Sequence, residues 1–409
     1  MLGLLPTELH QYSISDVIRG MIAAWKPVDS QAALSLPGLG EGIPIRSARA
    51  AVIVAIKALG LPPGSRVGVP LYCCPVVFKA IKAADCVPRF LDIDPGTFCL
   101  SPEALRTKHS EIDAVIAVHM FGNVCDMPRV LDIMQGKPVI EDCAQSIGSK
   151  LDGRAVGSFG DVSFFSFRSG KYLSVGEGGA LYSENKDLRG RISELVGALP
   201  VPARAEEIKH VATTYIRSKL RSRPWWGLLG TRVWAVYNKK TDFADKSPIV
   251  MGRIFASDLS TVRKRLPRLD SMICSQRAHT DYYEHNVRLG PGMLCPEGPG
   301  NYYNRFMYPI VFPSTEQRDM MAAHLKSRGI GTSRPYEDAI AGAARHYEYA
   351  GECPIAEQML RRALIIPVHS KLRSIDIEHI ARCINEALGQ IGGQGIVQVK
   401  VKGRTLSND

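Results

Sequence analysis

Between about Ile45 and Ser183 the chain alternates short, almost wholly apolar runs with helical segments, and this alternation constrains the fold more than any other feature. Arg66 to Val69, Val87 to Asp92, Ala114 to Val118, Pro138 to Glu141 and Val162 to Phe165 read as strands. Ala48 to Leu59, Pro75 to Ala84 and Met127 to Gln135 read as helices, the first stopped by Gly60 and Pro62-Pro63-Gly64. Strands with no polar face belong to a sheet covered on both sides, and intervening helices make such a sheet mostly parallel. The expected fold class is α/β. Ligands of these sheets collect at the carboxyl ends of the strands, where His119, Asp142 and Ser166 fall.

The second half is built differently. Leu259, Val262, Leu266, Leu269 and Ile273 recur at helical steps, with Pro267 predicting a kink. Phe306 to Phe312 and Ala363 to Ile366 read as strands, and Glu316 to Arg328 and Ile377 to Leu388 as helices. With 409 residues, two domains are expected. The predicted organisation is a large domain over 1–198, a basic, tryptophan-rich insertion over 199–250, a linking helix with a small α+β domain over 251–395, and a polar tail over 396–409.

Lys171 follows the apolar run ending at Phe165 and precedes Gly176-Glu177-Gly178-Gly179. Upstream, Val139-Ile140-Glu141-Asp142 is a buried-strand pattern that ends in an acid. An amine that condenses with an aldehyde, a hydroxyl at Ser166 for a phosphate and a carboxylate at Asp142 for a pyridinium nitrogen together suit pyridoxal 5'-phosphate. Each residue alone has a plainer reading, as a surface lysine or a structural acid; the ordered set does not. The phosphate also needs a helix N-terminus, and Ser47-Ala48-Arg49 opens the Ala48 helix in that form, although a serine there also serves as a plain N-cap. Gln145 is expected near the ring edge or its phenolic oxygen. His119 can stack on the ring or approach it, or be a satisfied structural histidine.

The net charge of +11 invites a nucleic-acid reading, but no helix-turn-helix, zinc-finger or RNA-recognition signature accompanies it. Ten scattered cysteines suggest neither a disulfide framework nor a metal site, and reduced thiols in a cytoplasm are expected. Met1 to Glu8 lacks the pattern of a signal peptide, and no run is apolar for the length of a membrane span.

Glu141-Asp142-Cys143-Ala144-Gln145, Val156-Gly157-Ser158-Phe159-Gly160-Asp161, Phe165-Ser166-Phe167 with Lys171, and Gly176-Glu177-Gly178-Gly179 resemble the signature of the DegT/StrS-type sugar aminotransferases. Phe90-Leu91-Asp92-Ile93-Asp94, Val118-His119-Met120-Phe121-Gly122, Tyr308-Pro309-Ile310 and Ile366-Pro367-Val368-His369 extend the likeness over most of the chain outside 199–250. The resemblance implies fold type I, pyridoxal phosphate, and transfer of an amino group, usually from L-glutamate, to a keto sugar carried on a nucleotide. It also implies a homodimer with active sites at the subunit interface, and the expected setting is polysaccharide or secondary-metabolite biosynthesis in the cytoplasm. Catalysis then falls to Lys171 and Asp142. Cofactor binding falls to Lys171, Asp142, Gln145, Ser166, Ser47, Ala48, Arg49, His119, Cys74 and Arg253.

Four positions depart from the family pattern. The phosphate turn, usually Ser-Gly-Thr, is Ser47-Ala48-Arg49, and the aromatic that commonly stacks on the ring falls at Cys74. Arg168 stands where a histidine is frequent, and Gly252-Arg253 replaces a Gly-x-Asn lent across the dimer. Arg49 or Arg253 can bind the cofactor phosphate or substrate phosphates. Alternatives are a non-sugar ketone such as an amino-cyclitol precursor, a sugar dehydratase, which Lys171 disfavours because such enzymes carry histidine there, and a non-catalytic regulatory homologue. Arg221 to Tyr237 interleaves three tryptophans with aliphatics and is flanked by basic residues; it reads as a dimer arm, a lid, or a membrane-surface contact through 217–240.

Overall fold

The computed structural model describes residues 4–8, 10–26, 32–222, 225–227, 249–288 and 295–391. The polar tail and most of the tryptophan-rich stretch lie outside the described residues.

In chain order, α1 (Ile14–Ala23), β1 (Leu34–Leu36) and β2 (Gly40–Ile45) lead into α2 (Ala48–Ala58), β3 (Arg66–Pro70), α3 (Val76–Ala83) and β4 (Val87–Leu91). Then come α4 (Pro102–Lys108), β5 (Ala114–Val118), α5 (Met127–Met134), β6 (Val139–Asp142) and a small hairpin, β7 (Lys150–Leu151) with β8 (Arg154–Ala155). β9 (Val162–Ser166) and β10 (Gly179–Tyr182) complete the sheet, before α6 (Lys186–Gly197) and α7 (Arg204–Leu220).

The eight-stranded sheet has the order β1-β2-β10-β9-β6-β5-β3-β4. β4, β3, β5, β6 and β9 run parallel, as their apolar composition predicts, while β10 pairs antiparallel with both β9 and β2. β2 therefore points the same way as the parallel strands and delivers Ser47 to the same carboxyl edge as His119, Asp142 and Ser166. Register keeps these ends level, with Val118 opposite Asp142 and Asp142 opposite Phe164.

Beyond the sheet, α8 (Ala256–Arg265) and α9 (Leu269–Asn286) are separated by a 3-10 turn at Leu266–Arg268. Pro267 makes that break, since it lacks the N–H that would continue the helix. A two-stranded sheet, β11 (Tyr308–Val311) with β12 (Ala363–Ile366), is backed by α10 (Thr315–Ser327) and, at the chain's end, by α13 (Ser374–Ile391). Between these lie α11 (Ala339–His346) and α12 (Pro354–Arg362).

The described residues bury two hydrophobic clusters, one on the large sheet and one around β11, β12 and α13. Leu5 joins the second: its N–H donates to Gly329 O at 2.8 Å, and its carbonyl accepts from Gly331 N–H at 2.8 Å. The next few residues then return across the larger unit, carrying Glu8 and His10 over the loop that holds Lys171.

Candidate active site

Eight of the ten sequence-predicted residues line one cavity at the carboxyl edge of the sheet. It is lined by Ser47, Ala48, Arg49, Cys74, Asp142, Gln145, Ser166 and Lys171, and also by Arg168, Glu177 and Tyr336 among others. They meet there because β6 and β9 end, and α2 begins, on that edge.

Ser47 is the N-cap of α2, its hydroxyl accepting from Ala50 N–H at 3.2 Å. The free amides of the helix's first turn and the Ser166 hydroxyl at the end of β9 form an anion cradle. Glycine keeps the cradle shallow. Gly178 has φ +124, and a Cβ on Gly179 would stand 2.8 Å from Ala48 N and 2.7 Å from Phe165 O. Arg49 adds a partly buried guanidinium whose Nη2 lies 4.0 Å from Glu177 Oε1. Burial pushes the pKa of Arg49 down, with Arg168 adding to the effect and Glu177 opposing it. Glu177 is itself held by Arg46, whose Nε donates to its Oε2 at 3.0 Å.

Asp142, at the end of β6, also lines the cavity. Its Oδ1 accepts from Ala144 N–H at 2.9 Å, and among the described residues no protein donor reaches its other oxygen. Burial pushes its carboxyl up; the Ala144 hydrogen bond and Lys171 oppose that. A buried carboxylate with an open oxygen suits a cationic N–H arriving from the cavity, as a protonated pyridine would supply.

Lys171 sits in a tight loop: its N–H donates to Arg168 O at 3.0 Å, and Gly170 N–H donates to Ser174 Oγ at 3.1 Å. Gly170 has φ +96, and a Cβ there would stand 2.6 Å from Glu8 Oε2, so glycine lets the N-terminal segment close over the loop. The Lys171 ammonium lies 4.8 Å from the Phe306 ring centroid. Burial lowers its pKa to about 8, helped by the Arg168 cation and opposed by Asp142 and Glu8. A neutral amine is therefore accessible near physiological pH.

Two predicted residues are placed elsewhere. The His119 ring is fully buried beneath the cavity edge; its Nδ1 accepts from Cys125 N–H at 3.1 Å, so Nε2 carries the proton and donates to Glu141 Oε2 at 3.1 Å. With both nitrogens engaged it has the satisfied structural role rather than that of a ring partner. Arg253 also points away: its N–H donates to Pro200 O at 2.9 Å and its guanidinium to Gly197 O. Neither residue lines the cavity.

Sequence reasoning missed Tyr336, whose hydroxyl lies 2.8 Å from Gln145 Nε2 and whose backbone has φ +63. The same amide side chain accepts from Phe121 N–H at 3.1 Å, which fixes Gln145 against the floor of the cavity. Tyr336 carries no local signal, being separated from the other lining residues by more of the chain than any pattern spans. His119, Glu141 and Cys143 lie close enough together to hold a metal, but three backbone N–H groups and His119 already occupy the Glu141 oxygens.

Comparison with known proteins supports the same picture. The profile of the DegT/DnrJ/EryC1/StrS aminotransferase family matches residues 33–210 and 237–385. The chain is 27% identical over 365 residues to the UDP-N-acetyl-3-dehydro-alpha-D-glucosamine 3-aminotransferase of Acidithiobacillus ferrooxidans, covering 86% of each protein. It is 36% identical over 156 residues to the L-glutamine:scyllo-inosose aminotransferase of Streptomyces griseus, covering 37% of each. Among solved structures, the aminotransferase TlmJ of Streptoalloteichus hindustanus superposes with a TM-score of 0.72 at 21% identity, over 95% of this chain and 100% of that one.

Proposed function

The chain belongs to the DegT/DnrJ/EryC1/StrS aminotransferase family, whose enzymes use pyridoxal phosphate, and on that premise we propose that it moves an amino group from L-glutamate to a keto sugar carried on a nucleotide. One observation carries the site assignment: Lys171, with its pKa lowered to about 8, shares a single cavity with a buried acid and a helix N-terminus. When bound, the cofactor supplies an aldehyde carbon and an electron-withdrawing ring. The amides opening α2, with Ser47 and Ser166, would hold its phosphate, while Asp142 would keep a proton on its ring nitrogen. Lys171 Nζ, as a neutral amine, would accept the proton from the donor's α-carbon and later give it back to the acceptor. Gln145, fixed by Tyr336 and Phe121, would meet the ring at its edge or phenolic oxygen.

The keto-sugar reading is supported by the relative that aminates a UDP-sugar and by the Arg49 and Arg168 cations lining the cavity, which suit a phosphorylated substrate. A cyclitol ketone is the second reading, favoured by the likeness to a scyllo-inosose aminotransferase. We read the enzyme as a cytoplasmic homodimer serving polysaccharide or secondary-metabolite synthesis. Ten free cysteines suit a reducing compartment, and no described helix is long and apolar enough to cross a membrane.

The test is the visible spectrum of purified protein with pyridoxal phosphate. L-glutamate should bleach the bound cofactor's band, and a nucleotide-linked keto sugar should restore it; failure with every keto sugar and recovery with an inosose would select the cyclitol reading. Asp142→Asn should retain cofactor yet slow bleaching roughly 100-fold, because the charge that keeps the ring nitrogen protonated is gone.

Capture of added cofactor by the cofactor-free protein should follow the neutral fraction of Lys171. With a pKa of about 8, the rate should climb roughly tenfold between pH 7 and pH 9 and then level off. An unperturbed lysine would keep climbing past pH 10. Because the Arg168 cation lowers this pKa, Arg168→Ala should move the rise to higher pH. Stopped-flow absorbance across that range checks both expectations, and an unmoved curve in the variant would remove Arg168 from the electrostatic account.

A further inference from the structure

Helix α1 is mounted with its polar side inward. Asp16 is buried: its Oδ2 accepts from Arg265 Nη2 and its Oδ1 from Lys264 Nζ, both at 2.9 Å. One turn on, Gly20 is pressed so closely that a Cβ would stand 3.0 Å from both Tyr12 OH and Val211 Cγ2. Those contacts fix which side of the helix faces the protein. The opposite side carries Ile14, Ile18, Met21 and Ile22, followed by Trp25, with 62%, 57%, 38%, 59% and 66% of their surfaces exposed. Their spacing places them in one row along the helix. Soluble helices normally turn such a row toward the core, so an outward row marks a contact surface.

Helix α7 lies alongside and enlarges the surface. Tyr12 N–H donates to Ser218 Oγ at 2.9 Å, and the Arg204 guanidinium sits 5.1 Å from the Trp25 ring centroid, so the two helices are joined near both ends. α7 adds exposed Ile208 and Ile216. The exposed charges on the two helices and their adjoining ends are one-sided: Arg19, Lys26, Arg204, Lys209, Arg217 and Lys219, against Glu206, which is paired with Arg46.

We propose that this face seats on an anionic lipid surface, the isoleucine row and Trp25 entering the boundary between headgroups and acyl chains while the flanking lysines and arginines meet lipid phosphates. An apolar helix row with tryptophan and a cationic rim is the chemistry of interfacial anchoring. Charge separates this occupant from a second copy of the chain. Two-fold pairing would set the patch against itself and bring its cations face to face, whereas an anionic bilayer offsets them. The inference is independent of the substrate reading, since none of these residues lines the active-site cavity.

The test is flotation of the full chain with cofactor, using vesicles of phosphatidylcholine mixed with phosphatidylglycerol and vesicles of phosphatidylcholine alone. Wild type should float with the mixed vesicles, less so as salt rises and hardly at all with the neutral ones. Ile18→Glu with Ile22→Glu should lower the bound fraction at least about tenfold, while turnover stays at the wild-type rate and shows that the variant is folded. Wild type that ignores the anionic vesicles, or a variant that binds them equally well, would overturn the proposal. A variant that changes only its sedimentation, with no vesicle binding by wild type, would hand the face to a second copy.

Discussion

Lys171→Ala is expected to lower amino transfer by at least roughly a thousandfold. On the proposed mechanism the lysine has two tasks: its amine would hold the cofactor and would carry the proton between donor and acceptor carbons. No neighbour can take over either task. Among the described cavity residues the other cations are guanidiniums, Arg49 and Arg168, which do not give up a proton near neutral pH. Cys74 is close, but burial pushes its thiol pKa up, so it is a poor base. Borohydride treatment followed by mass measurement should show cofactor fixed to wild type and none fixed to the variant. Lys171→Arg should be equally inactive although it keeps the positive charge, which separates the proton-transfer role from simple electrostatics. Unfolding midpoints of both variants should stay near wild type, because a partly buried ammonium over the Phe306 ring contributes little to stability. Turnover within tenfold of wild type would remove Lys171 from the mechanism.

Much of this site is legible because its residues sit at ends of elements whose periodicity shows in the chain. Asp142 ends a wholly buried strand, Ser166 ends its neighbour, and Ser47 precedes a helix stopped by Gly60. Strand ends on one edge of a parallel sheet must converge, so these three could be placed together without coordinates. His119 follows the same logic and still misses the cavity. A strand end fixes where a residue stands, not which way its side chain turns, and a buried glutamate on the next strand draws the imidazole under the edge. Arg46 is a second omission, since its role depends on Glu177 and Phe255, each reached only through tertiary packing.

The fold shows the same division. The parallel strands were readable from composition alone. β2 was not, because Gly40, Gly42 and Pro44 contradict strand propensity; it forms because β10 offers it an antiparallel partner. α7 was hidden inside a stretch where basic residues obscure any apolar stripe. In α1 the amphipathic pattern is clear, yet the pattern cannot say which face packs; Asp16 and Gly20 decide that by their partners.

Glu141→Gln should be among the most destabilising single substitutions in the chain, costing about 3–5 kcal/mol although the side chain hardly changes size. The Glu141 carboxylate is fully buried and accepts four N–H groups. Oε1 takes those of Phe159 and Gly160, each at 2.7 Å; Oε2 takes Gly157 N–H at 2.9 Å and His119 Nε2 at 3.1 Å. Glutamine has one acceptor oxygen, so whichever way its amide turns, two donors face an NH2. His119 cannot relieve the conflict by moving its proton, because Nδ1 is committed to Cys125 N–H. The damage also reaches the active site: the 157–160 turn feeds β9, which ends at Ser166, and Asp142 follows Glu141 directly on β6. Cofactor affinity should therefore fall along with the midpoint of chemical unfolding. Glu141→Ala should cost a similar amount, since lost acceptors rather than lost volume set the penalty. A glutamine variant that unfolds within about 1 kcal/mol of wild type would show that the turn finds other acceptors, and that the glutamate is not what holds the strands ending at Asp142 and Ser166 in register.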